Sequence, residues 1–219
     1  MNEQSPQSMP QPGKPMSWIQ TWIAAVRNPR EQTYTMIADA PGASAGKAYL
    51  WVALVAAIST ILNILFQAGS GSNPSGWLCC FIPAAPVGAI LGLMIQAGIV
   101  RFTIKSFRAP VSFQKIAYVF GAIATPVSLA AGILALFYLG DNTRVIAFLM
   151  GIPLGLYALF LQILAVKAMA RLSWGKAVAA ALSPAILGII LIGMLVVVLL
   201  LLGPVVQRNF QMINSQLVK

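Results

Sequence analysis

Histidine is absent from this 219-residue chain, and acidic residues are nearly so: Glu3, Glu31, Asp39 and Asp141 are the only four. Charged residues of all kinds make up 8% of the sequence, against about 25% in soluble domains. Without histidine, a zinc site of the hydrolytic type lacks its usual ligands. Catalysis by paired carboxylates inside a membrane has no pair, because all four acids fall outside the long apolar runs. No Asp, Glu, Lys or Arg lies within those runs either, which argues against ion pumps and proton-coupled transporters, whose pathways carry such groups. Ser59, Ser128 and Ser183 have no lysine near them at the same depth to activate a nucleophile. Cysteine is limited to the neighbours Cys79 and Cys80, which rarely bridge without strain and have no metal-ligand spacing. They read as small apolar residues, with lipidation or redox chemistry as lesser alternatives. The expectation is a protein that is not an enzyme and carries no cofactor.

What is present in quantity is apolar surface, 59% of the residues. Charge is missing throughout residues 48–100, 116–140, 145–166 and 177–207. A helical span needs about 20 such residues. The first run is too long for one helix and is broken by turn-forming residues between Gly69 and Gly76, among them Asn73 and Pro74. Five spans follow, at 48–68, 77–100, 116–139, 145–166 and 177–203. Each is continuously apolar with no period of two, so helices are implied rather than strands. The fold class expected is all-α: a polytopic membrane protein of five transmembrane helices, making one membrane domain over residues 48–203.

The net charge of +10 sits in the segments between these spans. With no basic domain free of the membrane, nucleic acid is not an expected partner. Lys14, Arg27, Arg30 and Lys47 precede the first span; Arg101, Lys105, Arg108 and Lys115 separate the second and third; Lys167, Arg171 and Lys176 separate the fourth and fifth. The intervening segments and the tail hold only Arg144, Arg208 and Lys219. Eleven cations against three, in alternate segments, predict a cytoplasmic N-terminus and a C-terminus outside, with residues 204–219 as a short non-cytoplasmic tail. In a prokaryotic cell the membrane would be the plasma membrane.

Residues 1–16 are polar and rich in Pro, Gln and Ser, which reads as a disordered cytoplasmic tail without a cleavable signal. Residues 17–47 read as an amphipathic juxtamembrane segment. Trp18, Ile19, Trp22, Ile23 and Val26 recur at helical spacing. Asn28, Pro29, Arg30 and Glu31 then look like a second helix start, with Asn28 as cap, Pro29 in the first helical position and Glu31 reaching back to the cap amide. That helix carries Tyr34 and Ile37 and stops near Pro41 and Gly42. Two short amphipathic helices before the first span would either form an interfacial platform that rests among lipid headgroups or receives a cytosolic partner, or pack on the protein's own bundle.

Polarity inside the spans is mild. Asn63 and Gln67 lie four apart on one face of the first span; Gln96 and Gln162 lie near the ends of the second and fourth; Thr125, Ser128 and Ser183 flank prolines. Such groups usually hydrogen-bond between helices; the sharper alternative is a path for lipid or solute. Pro83, Pro86, Pro126, Pro153 and Pro184 interrupt four spans, as kinks that set packing or, in transporters, as exposed carbonyls. The pairs Gly88/Gly92 and Gly151/Gly155 would allow close helix approach, which leaves a homo-oligomer open.

A weak internal echo is also visible. Arg108 is followed by Ser112, Phe113 and Lys115 ahead of Pro126; Arg171 is followed by Ser173, Trp174 and Lys176 ahead of Pro184. The serines can cap helix starts, the aromatics suit a membrane interface, and the lysines suit the cytoplasmic side. Together with Trp22, Asn28, Pro29, Arg30 and Tyr34 before the membrane, Gln114 beside Lys115, and Thr125 with Pro126 in the central span, this order resembles the Yip (Ypt/Rab-interacting protein) domain family over residues 18–203, in its prokaryotic form. The resemblance implies five spans with a cytoplasmic N-terminus. Eukaryotic relatives are associated with Rab GTPases, ER-to-Golgi traffic and membrane shaping, and typically have a longer cytosolic N-terminal region with acidic and Tyr-Gly-Pro-type motifs, to which nothing in residues 1–47 is comparable.

Two readings of function result. One is a membrane organiser that scaffolds a membrane-protein or cytosolic partner, or local lipid, through Trp18, Trp22, Asn28, Pro29, Arg30, Tyr34, Phe113, Lys115, Trp174 and Lys176. The other is a permease for a lipid or small solute, with a path near Asn63, Gln67, Thr125, Pro126, Ser128, Gln162 and Pro184.

Overall fold

A computed structural model describes the backbone of residues 16–69, 77–136 and 144–217, and side chains at 16–66, 82–136 and 145–200. Seven helices are described: α1 (Trp18–Arg27), α2 (Glu31–Ala38), α3 (Ala45–Gly69), α4 (Trp77–Ser106), α5 (Phe113–Leu136), α6 (Arg144–Ala170) and α7 (Trp174–Leu217). No strand occurs among the described residues. Stretches of five helices are long and apolar enough to cross a membrane: Ala45–Phe66, Ile82–Ser106, Phe113–Leu136, Val145–Ala170 and Trp174–Leu200. The all-α, five-span architecture and the two short helices before it are those expected.

Helix α1 opens with a capping box that the sequence displays as Ser17-x-x-Gln20: the Gln20 amide donates to Ser17 Oγ, and the Ser17 amide donates to Gln20 Oε1. The start of α2 departs from expectation. Its N-cap is Arg30, which makes no side-chain capping bond, and its first residue is Glu31. Asn28 instead closes α1, its amide still donating to the Ala24 carbonyl. The Arg30 amide donates to the Asn28 carbonyl in a tight turn around Pro29. The turn takes up the residues that a longer second helix would have used, and the Glu31 carboxylate is left for another partner. After α2 the chain reverses through Gly42 at φ +79, a left-handed backbone that glycine adopts without strain.

Inside lipid, apolar side chains gain little by leaving one apolar medium for another, so close packing decides which helices meet. The tightest approach is α5 on α3. A Cβ added at Gly121 would lie 2.6 Å from Ala48 Cβ and 3.1 Å from its Cα; one added at Gly132 would lie 2.8 Å from Ser59 Oγ. Gly121, Thr125 and Gly132 share one face of α5 at helical spacing. The glycines singled out from sequence behave otherwise: a Cβ at Gly88, Gly92 or Gly155 would meet nothing within 4 Å. A small residue permits close approach but does not compel it, and these helix faces are open in the structure. The prolines at 83, 86, 126 and 153 are accommodated within continuous helices.

The helices α4 and α6 end alike. Arg108 and Arg171 both adopt left-handed backbone, at φ 60 and φ 50. After α4, the Arg108 amide donates to the Lys105 carbonyl and the Ala109 amide to the Ile104 carbonyl, the paired bonds of a Schellman motif. After α6, the Leu172 amide donates to the Lys167 carbonyl in the corresponding position. Glycine normally fills this site; any other residue is held there at a cost of about 1–2 kcal/mol. Each turn leads to a serine: Ser112 Oγ accepts from the Lys115 amide, and the Ser173 carbonyl accepts from the Ala177 amide.

The chain divides into two compact units, residues 1–181 and 182–219. The second unit is the remainder of α7, a helix that contains Pro184 and runs to Leu217. All packing described here belongs to the first unit. Its interior has two clusters. One joins α3, α4, α5, α6 and the start of α7 around Val100, Ile104, Ile116, Phe120 and Ala177. The other joins α1 and α2 to α3, α5 and α6 around Tyr34, Ile37, Trp51, Ile123 and Leu161.

Candidate functional site

The second cluster seats the two juxtamembrane helices against the spans. Thr21 and Ala25 are the buried face of α1, while Trp18, Ile19 and Ile23 are exposed at 41%, 64% and 51%. The apolar stripe read from sequence is therefore divided: Trp22 and Val26 join the cluster, and the isoleucines face outward. Small Thr21 and Ala25 go inward because they let α1 approach α5 closely.

Two tyrosines hold the C-terminal end of α1, where helical carbonyls lack internal donors. Tyr34 Oη donates to the Ala25 carbonyl at 2.7 Å, and Tyr157 Oη donates to the Val26 carbonyl at 2.5 Å. Tyr157 lies ten residues before Lys167 on α6, roughly 15 Å along the helix axis. The end of α1 is thus placed against the apolar part of α6, not on the connecting loops. Burial pushes the Tyr34 phenol well above its ordinary pKa, and the neighbouring Tyr157 adds to this.

Trp51, fully buried on α3, is the aromatic centre. Trp18 and Trp22 meet it edge-on at centroid distances of 6.0 and 5.7 Å, and Tyr118 of α5 lies at 5.0 Å. The indole N–H groups of Trp22 and Trp51 are buried without an acceptor. Neither Trp51 nor Tyr118 carried a signal in the sequence beyond being aromatic within a span.

Helix α2 is pinned at both ends. The Glu31 carboxylate pairs with Lys167 of α6, and Asp39 pairs with Lys115 of α5 at 2.5 Å. Between them Tyr34 and Ile37 are fully buried. Both carboxylates and Lys115 are half-exposed or more, with Lys167 more covered, so each pair contributes about 0–1 kcal/mol, and they fix position more than stability. Lys167 also lies 4.6 Å over the ring of Trp174, and Lys176 lies 5.9 Å over Phe107. The structure thus gathers Tyr34, Lys115, Trp174 and Lys176 at the basic end of the first unit, with Phe113 packed on the first cluster. Arg30 is exposed, and Asn28 and Pro29 form the turn.

The polar span residues do not converge. Asn63 Nδ2 donates to the Ser59 carbonyl of its own helix, and Thr125 Oγ1 donates to the Gly121 carbonyl at 2.6 Å, next to Pro126. Gln96 Nε2 donates to Gln162 Oε1 at 3.0 Å, joining α4 to α6. Ser128 is exposed on α5. The side chain of Gln67 lies outside the described residues, as do those of Cys79 and Cys80. Pro184 belongs to the second unit.

Five membrane-crossing helices, two docked helices ahead of them and basic turns after the second and fourth spans make up one arrangement, and a sequence comparison assigns it. The Yip1 domain matches residues 23–203. The chain belongs to the Yip1 domain family. No curated protein and no solved structure matches it. In this Yip1 domain protein the match begins at residue 23, midway along α1, and includes all of α2.

Proposed function

We propose that this multi-pass membrane protein is a non-enzymatic organiser, whose docked α1 and α2 present a platform at the basic end for a membrane-protein or cytosolic partner. The reading takes the basic end, with the N-terminus, as cytoplasmic, in keeping with its concentration of Lys and Arg. The observation that carries it is the division of α1. Its C-terminal end is tied to α2 by Tyr34 and to α6 by Tyr157, and Trp18 rests against Trp51, while Ile19 and Ile23 are held outward on this support. Rigid apolar anchors of this kind are what interfaces use. The local hydrogen bonds of Asn63 and Thr125, and the Gln96–Gln162 pair, support this reading over a permeation path, since those groups already have partners.

Crosslinking pull-down from native membranes tests it. Ile19→Ser with Ile23→Ser changes only the outward face. The expected result is loss of specific crosslinked partners with the unfolding temperature in detergent unchanged. An unaltered set of partners in that variant, and in one lacking residues 17–40, would sink the proposal. Orientation is checked separately: a cysteine placed at Ser112 should react with impermeant reagent only from the cytoplasmic side.

A further inference from the structure

The two Schellman turns contain a feature that helix termination does not require. A backbone bond from the residue after each arginine already closes the helix end, Ala109 to the Ile104 carbonyl and Leu172 to the Lys167 carbonyl, and glycine would fill the left-handed position without strain. Instead both positions hold an exposed arginine, Arg108 and Arg171. Strain tolerated twice at equivalent positions suggests that the side chain is wanted there.

Electrostatics narrows what it is wanted for. Among the described residues the only carboxylates are Glu31 and Asp39, and these pair with Lys167 and Lys115. Neither arginine has one of them as partner. The two turns belong to one neighbourhood: Lys176, just past the second, lies over Phe107, just before the first, and Ala109 and Leu172 pack in the same cluster. Close by, Phe102 is 78% exposed and Trp174 is 49% exposed, large apolar side chains at the ends of membrane-crossing helices, where lipid headgroups begin. Two guanidinium groups without a carboxylate partner, at that level, fit the phosphate of an anionic phospholipid, which arginine can engage through two parallel N–H donors.

We propose that Arg108 and Arg171, with Lys176, form a headgroup site for an anionic phospholipid at the basic end. The site rests on the five-span membrane reading and is independent of the partner platform on α1. Loss of partner capture with lipid retention intact would overturn the platform alone, and the reverse would overturn the headgroup site alone.

The test is native mass spectrometry of the full chain in neutral detergent, titrated with phosphatidylglycerol, with phosphatidylcholine and inorganic phosphate as comparison arms. The wild type should retain phosphatidylglycerol in preference to phosphatidylcholine, and inorganic phosphate should not displace it. Arg108→Gly and Arg171→Gly should each weaken retention about fivefold, and the double variant about 25-fold. Arg108→Lys with Arg171→Lys should keep most of it. In lipid-free detergent the glycine variants should unfold at the same temperature as wild type or higher, because strain is relieved. Equal retention by the glycine variants overturns the proposal, as does equal retention of phosphatidylcholine. Displacement by inorganic phosphate makes this a soluble-anion site and overturns it too. Loss of retention accompanied by a lower unfolding temperature would make the arginines structural.

Discussion

Tyr157 of α6 donates its hydroxyl proton to the carbonyl of Val26, 131 positions earlier in the chain, at 2.5 Å. With the Tyr34 bond to Ala25, this contact turns a short amphipathic helix into a fixed part of a membrane domain. A helix of 10 residues is marginal by itself, so its order depends on what it packs against.

Removing these donors should release α1 before it unfolds the spans. Tyr34→Phe and Tyr157→Phe each keep the ring and leave a carbonyl short of a donor, at a cost of about 1–3 kcal/mol where it is buried. Hydrogen exchange should therefore accelerate in α1 amides, roughly tenfold per 1.4 kcal/mol, while amides in α5 around Phe120 stay protected. Uniform acceleration across the domain would show that α1 and the spans unfold as one unit.

Alkaline pH should act on the same contact. Tyr34 ionises near its ordinary value of about 10 when undocked and higher when buried. Its contribution to docking is whole below pH about 10 and is lost as pH rises toward the docked pKa, because only the undocked form then gives up its proton. Release of α1, followed by hydrogen exchange or proteolysis, should rise above pH about 10 in the wild type and respond less in Tyr34→Phe. The Phe variant keeps the Lys115–Asp39 and Lys167–Glu31 pairs, so the comparison isolates the phenol.

Much of this architecture was legible in the sequence, and the limits were physical. The spans could be read because lipid requires long uncharged runs, and the helices before them because Trp18, Trp22, Tyr34 and Ile37 keep helical spacing. What could not be read was pairing. Lys115 looks like a free interfacial cation until Asp39, 76 positions away, is brought to it. Gln96 and Gln162 carry no mark of being partners. Which face of α1 turns inward depended on the small residues Thr21 and Ala25, where hydrophobicity pointed to Ile19 and Ile23. The left-handed arginines were hidden within an echo whose visible parts, serine and aromatic, had sufficient reasons of their own.

The glycines make an opposed pair of expectations. Alanine generally favours helix over glycine by about 0.5–1 kcal/mol. At Gly88, where a Cβ meets nothing within 4 Å, Gly88→Ala should be neutral or stabilising. At Gly121 the added Cβ would approach Ala48 Cβ to 2.6 Å and its backbone Cα to 3.1 Å, so α3 itself must shift. Overpacking of this kind costs about 1–3 kcal/mol and should outweigh the propensity gain. Thermal unfolding in detergent measures both, and a Gly121→Ala protein as stable as wild type would contradict the α3–α5 packing.

The Gln96–Gln162 bond bears on the choice between an organiser and a permease. If its role is structural, Gln162→Leu alone leaves Gln96 partly buried without its acceptor, and Gln96→Leu does the converse. Each should destabilise by about 0.6 kcal/mol, and by no more than about 1.7, the range found for interhelical hydrogen bonds in membranes. The double substitution removes both polar groups together, so it should destabilise less than the sum of the two singles. A solute path would behave differently: each glutamine would contact the solute independently, the single effects on stability would add, and transport into liposomes would fall in both single variants. Thermal unfolding of the four-member cycle, with lipid and solute flux assayed in the same liposomes, separates the two cases. Non-additive stability with no flux in any member supports the structural bond, and additive stability with flux lost in both singles would return Gln162 to a permeation path.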